Sequence, residues 1–183
     1  MKALTRLHNW IVAAFMLLSS PVWADDARLD DLFRQLQTAT EAESFQITSE
    51  IWLEWSKSGS PAMDLLLKRG RDAMNAGQPG LAIEHLTALI DHAPDFAEGY
   101  NARATAYFQT GDLGPSVADI ARTLTLNPRH FGALSGLGMI FEELDEPAKA
   151  LEVYKAALAI NPHLGQVKDA VKRLELSVGG QDL

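Results

Sequence analysis

Apolar residues recur at helical spacing from Leu29 almost to the end of the chain, and Pro, Gly and Asp interrupt them at regular distances. Leu29, Leu32, Phe33, Leu36 and Ala39 form one stripe, and Ala42, Phe45, Ile51, Trp52 and Trp55 form another. This spacing predicts two amphipathic helices within residues 25–62. Further on, NAGQP, QTGDLGP and ELDEP are tight turns between helical stretches. Leu164, Val167, Val171 and Leu174 share one face of a last helix, with Lys168, Lys172 and Arg173 opposite. That is the polar-backed cap expected at the end of a helical stack, over 165–177, with 178–183 as a flexible tail.

Three X-Pro steps give the chain its period. HAPDF, LNPRH and INPHL place Pro94, Pro128 and Pro162 at intervals of 34 residues. Proline drives the residue before it out of helical geometry, so each step closes one helix and opens the next. Aligned on these prolines, the chain divides into units 63–96, 97–130 and 131–164. Small residues recur in the eighth place (Gly70, Ala104, Gly138) and in the twentieth (Ala82, Ser116, Ala150). They let two antiparallel helices approach. Large residues in the fourth place (Leu66, Tyr100, Leu134) and the twenty-fourth (Leu86, Ile120, Tyr154) fill the space between layers.

A single helix pair is not stable alone, so residues 25–62 are expected to stack on the first unit as a degenerate pair. Trp52 and Trp55 would then fill core space against Leu65 and Leu66, and Ser60-Pro61 would start the next helix as N-cap and first-turn proline.

The 34-residue period and these places closely resemble the tetratricopeptide repeat family over about 100 residues. The resemblance implies an all-α, right-handed solenoid of antiparallel helix pairs with a C-terminal capping helix. Ala73 and Leu89 make the first unit atypical, and Asp145 replaces the turn glycine seen as Gly77 and Gly111. In this family the first helix of each unit lines a concave groove. Carried over, the implied partner-binding residues are Lys68, Arg71, Met74 and Asn75 in the first unit, and Asn101, Thr105, Phe108 and Gln109 in the second. Ser135, Gly136, Met139 and Glu142 follow in the third. The family's carboxylate clamp is missing, because Leu67, Ser135 and Met139 occupy places that it fills with cations. The groove would instead run from a mildly basic end at Lys68 and Arg71 to an acidic end at Glu142.

The stretch FGALSGLGMIFE holds three glycines in a helix, each costing up to about 1 kcal/mol against alanine. Gly138 occupies the small eighth place and Gly132 lies in the first turn, where the cost is reduced. Gly136 faces the groove, where a bare backbone would let a partner come close.

Other chemistry is sparse. His85 and His92 are two helical turns apart, too far to chelate one ion, and His130 and His163 fall in inter-unit turns, where solvated residues are expected. There is no HExxH, nucleophile elbow or phosphate loop, and DDARLDD and FEELDE lack calcium-loop spacing. No enzyme, metal or cofactor is expected. The chain has 183 residues, a formal charge of −8 and no cysteine, which excludes thiol chemistry and disulfides and gives nucleic acid no basic stripe.

MKALTRLHN, the nine apolar residues Trp10 to Leu18 and then SSPVWA have the layout of a secretory signal peptide over 1–24, cut after Ala24. The alternative is an uncleaved anchor, for which the apolar run is short. The expected function is a non-enzymatic protein-binding adaptor, exported to a bacterial periplasm, as in the periplasmic tetratricopeptide proteins it resembles, which serve envelope or outer-membrane assembly. A holdase-type chaperone is the alternative, and a metal-dependent hydrolase a more distant one. The partner is a protein or peptide; no nucleic acid and no stable membrane anchor are expected.

Overall fold

A computed structural model describes residues 22–179. Among them are nine helices and no strand: α1 (Val22–Thr38), α2 (Glu41–Trp55), α3 (Pro61–Asn75), α4 (Pro79–His92), α5 (Ala97–Thr110), α6 (Leu113–Leu126), α7 (Phe131–Glu143), α8 (Pro147–Ile160) and α9 (Gly165–Gly179). The signal-peptide segment lies outside the described residues except for Val22–Ala24, which open α1. Of the expected tail, 180–183 lie outside them too, and α9 runs two residues past 177.

Local chemistry sets the helix boundaries. Thr40 caps α2 in a capping box with Glu43. Pro61, Pro79 and Pro147 open α3, α4 and α8, where a missing N–H costs nothing. The turns inside the units need a left-handed residue, supplied by Gly77 and Gly111 and, in the third unit, by Asp145 with φ 56°. At the Asn-Pro steps the side-chain oxygens of Asn127 and Asn161 accept the amides of Arg129 and His163 at 3.1 and 3.0 Å, folding the inter-unit turns.

The three units pair as the spacing predicts, α3 with α4, α5 with α6 and α7 with α8. A Cβ on Gly70 would lie 2.6 Å from Leu86 Cγ, and one on Gly138 would overlap the Tyr154 ring. In the second unit Ser116 donates its hydroxyl to the Ala104 carbonyl at 2.8 Å across the same close approach. Val167, Ala170 and Leu174 of α9 bury against Ala150 and Tyr154, closing the stack.

The α1–α2 hairpin does not stack on the first unit. Leu32, Phe33, Leu36, Ile51 and Trp55 form a core cluster with Phe131, flanked by Trp52, Ile160 and Leu164. The hairpin thus lies across the inter-unit turns at His130 and Asn161 and the start of α7. Leu65, the expected neighbour of the tryptophans, stays exposed. The front of α3 explains why. Lys68 and Asp72 form an ion pair there beside the exposed Arg69. One period later, Ala102 and Ala106 occupy the places of Lys68 and Asp72 and bury against the preceding unit. A charged front cannot bury two indoles, so the hairpin takes its apolar stripe elsewhere.

Candidate partner-binding groove

The docked hairpin turns the concave face into a two-sided groove. Helices α3, α5 and α7 supply one side and α2 the other. A cavity of about 590 Å³ lies between α2 and the helices α3 and α5, lined by Ser49, Trp52, Leu53 and Ser56 of the α2 segment and by Arg71, Met74, Asn75, Glu98, Asn101, Ala102, Thr105 and Gln109. Asn101 and Thr105 also line a second cavity of about 200 Å³, which continues along α5 and α7 past Phe108, Ser135, Gly136 and Met139. Ten of the twelve residues expected in the groove line one of these two cavities.

The other two do not. Lys68 pairs with Asp72 at 2.6 Å on the exposed front of α3. Glu142 turns toward the cap, accepting hydrogen bonds from Arg173 at 2.6 Å and the Tyr154 hydroxyl at 2.9 Å. The Arg173 guanidinium holds the Glu142 carboxyl below the usual range, and burial pushes the Tyr154 phenol up, with Glu142 adding to the effect. The acidic end expected of the groove is therefore tied into the C-terminal cap.

The basic end is neutralised as well. The Arg71 guanidinium donates to Glu98 Oε1 at 2.5 Å and to Ser56 Oγ at 3.0 Å. Glu98 is only 3% exposed, and the Asn101 amide donates to its other oxygen at 3.3 Å. His130 completes this network and corrects the expectation of a solvated turn residue. Its side chain is fully buried, with Nδ1 accepting the Ala133 amide at 3.0 Å. That bond places a ring proton on Nε2, which donates to Glu98 Oε2 at 2.9 Å. Trp55 stacks on the imidazole at 4.3 Å, and Trp52 meets it edge-on at 5.4 Å. His163 is likewise engaged: Nε2 lies 3.1 Å from the Leu36 carbonyl, and Nδ1 lies 3.3 Å from Glu41.

The three glycines of α7 sort differently from their sequence roles. Gly138 serves Tyr154 as expected. Gly132 is required by the hairpin, since a Cβ there would sit 2.6 Å from Trp52 Cη2. Gly136 has only Ile120 Cδ1 nearby, at 3.8 Å from its would-be Cβ, and stays open at the groove. Two residues at this site escape a reading by repeat places. Trp52 and Leu53 enter the groove only because the hairpin folds over it. Glu98 stands at an inward place of the repeat, but its partners Arg71 and His130 come from two other segments, beside Asn101 of its own helix. Among the described residues there is no group of three potential metal ligands.

A sequence profile of the tetratricopeptide repeat matches residues 67–116 and 116–165. A TPR repeat-containing protein of Rhizobium etli is 34% identical over 154 residues, covering 84% of this chain and 76% of that protein. Bacteriophage adsorption protein A of Escherichia coli is 30% identical over 135 residues, which span 72% of this chain and 13% of that protein. Among solved structures, the first TPR of Spaghetti bound to an HSP90 peptide superposes with a TM-score of 0.62 at 21% identity, covering 66% of this chain and 95% of that one. MamA superposes with a TM-score of 0.60 at 21% identity, covering 86% of this chain and 85% of that one. The profile spans more than half of the chain and falls on the very helices whose glycine and proline spacing builds the stack, so the chain belongs to the tetratricopeptide repeat family.

Proposed function

We propose that this protein is a non-enzymatic adaptor that holds a segment of a partner protein in the groove between α2 and the concave helices, in a bacterial periplasm. The observation that carries this reading is the pair of adjoining cavities on that face, lined by amide, hydroxyl and apolar side chains and by one mutually paired couple of charges, Arg71 with Glu98. Such lining suits a peptide main chain and gives bond-breaking chemistry no activated group. The HSP90 peptide held by the structurally similar Spaghetti domain supports a protein partner in general terms. The periplasmic assignment rests on the leader-like pattern of residues 1–24 and on the bacterial relatives.

A crosslinked pull-down from periplasm tests the groove, comparing wild type with Gly136→Leu. An adaptor retains one or a few partners stoichiometrically, and the variant loses them. Undiminished capture by a folded variant rejects the groove. N-terminal sequencing of the exported protein tests the location, with Asp25 expected first. A holdase is the second reading, favoured by Phe45 and Leu53, 79% and 59% exposed on α2. Suppression of aggregation of unrelated clients, abolished by Phe45→Ser with Leu53→Ser, would favour that role over the adaptor.

A further inference from the structure

Taking the groove as the partner site, its charges and hydrogen-bonding groups restrict what it can hold. The two cavities are lined by only two charged residues, Arg71 and Glu98, and these contact each other. Glu98 already receives Arg71, Asn101 and His130, so an incoming ammonium would find a satisfied carboxylate. An incoming carboxylate would find a matched guanidinium beside a buried anion. Burial of an unpaired charge is strongly unfavourable, so both kinds of chain end are disfavoured there.

The uncharged groups favour an extended main chain. Because Asn101 Nδ2 faces Glu98, its Oδ1 is turned to accept a hydrogen bond from elsewhere. Asn75 and Gln109, one period apart, stand exposed along the same cavity with both donor and acceptor available. A helical ligand satisfies its own N–H and C=O groups and has little use for such amides, whereas an extended segment needs them. The adjoining smaller cavity is mainly apolar, bounded by Phe108, Ile120, Met139 and Ile140, with Gly136 leaving its floor bare. It has room for one bulky side chain.

We infer that the groove takes an uncharged, extended segment internal to its partner, with one bulky apolar side chain seated beside Gly136, and that it rejects acidic chain ends.

Random twelve-residue peptides displayed on phage provide the test, in two formats: flanked on both sides, or ending in a free carboxylate. The expected winners come from the flanked format and are uncharged around one Leu, Met or Phe. As synthetic peptides with blocked ends they lose tenfold or more in affinity with Gly136→Leu and with Asn101→Ala. Their affinity changes less than twofold between low and high salt, since little charge is involved. Acidic winners, or winners that need the free carboxylate, overturn this inference while leaving the groove standing if the two variants still weaken them. Winners indifferent to both variants, or no winners at all, overturn the groove itself. Asn101→Ala keeps the result decisive if Gly136→Leu does not fold.

Discussion

The α1–α2 hairpin and the α7–α8 pair are both antiparallel helix pairs, yet they are held in different ways. In α7–α8 the backbones meet at a glycine over which Tyr154 lies, and the pair then buries against the next helix in sequence. The hairpin joins α1 to α2 partly through Arg28, which donates to Glu50 at 3.0 Å and Glu54 at 2.7 Å. It then docks side chain first onto turns distant in sequence. Gln37 donates to the Ile160 carbonyl at 2.8 Å, and Arg129 pairs with Asp30 at 2.7 Å while its guanidinium lies 4.4 Å from the Phe33 ring centre. Within the periodic part, sequence order decides which helices touch. Outside it, the apolar stripe goes wherever matching surface is offered.

If the two modes are distinct, they should fail separately. The largest effect is expected for Trp55→Ala, which empties the centre of the hairpin interface at a cost of about 3–5 kcal/mol. Tryptic cleavage after Lys57 should accelerate while the helices of the three units stay folded by circular dichroism. Loss of the whole chain in one transition would erase the distinction. Next comes one substitution made at two positions. Gly138→Ala forces a Cβ into the Tyr154 ring and should lower the denaturant stability of the repeat stack by about 2–3 kcal/mol. Gly132→Ala meets the Trp52 ring instead, and should cost about 1–2 kcal/mol of hairpin docking, read as a change in tryptophan fluorescence at an unchanged denaturation midpoint of the stack.

Gly136→Ala is the control within the same helix. No neighbour blocks its methyl group, so the gain in helix propensity of up to about 1 kcal/mol should leave the denaturation midpoint level or raised. The smallest effect is acidic. The Lys57 ammonium, with Arg28, holds the Glu54 carboxyl below the usual carboxylate range. Its contribution is therefore complete above the ordinary glutamate pKa of about 4.3 and is lost as pH falls through the lowered folded value. Fluorescence of the docked tryptophans, followed between about pH 5 and 3, should change less steeply in Glu54→Gln than in wild type.

The repeat stack could be read from the sequence because its signals are local and recurrent. Pro94, Pro128 and Pro162 mark helix boundaries through their own backbone geometry, and Gly70 and Gly138 mark close approaches inside one unit. The hairpin left a weaker trace. The pattern of Trp52 and Trp55 says that they are buried, not against what. Even so, Lys68, Arg69 and Asp72 stand where a stacking face would carry apolar residues, a warning visible in the chain itself. His130 and His163 could not be placed by position, since a turn residue is solvated until another segment covers it. Apart from Lys68, the places read for the groove in the first and second units line its cavities. Glu142 did not, because its choice between groove and cap depends on Arg173, a whole unit further along.

Solenoids ordinarily lengthen or shorten by whole units, since each unit touches only its neighbours. Here the hairpin is joined to the first unit through the short segment Ser56–Ser60 and is fastened by side chains at the turns that follow the second and third, through Asp30 and Trp55 at one and Leu36 at the other. That second attachment closes the array on itself. Duplicating a unit between the two anchor points would carry one of them out of the hairpin's reach, so a protein of this build is committed to its count of repeats in a way that an open stack is not.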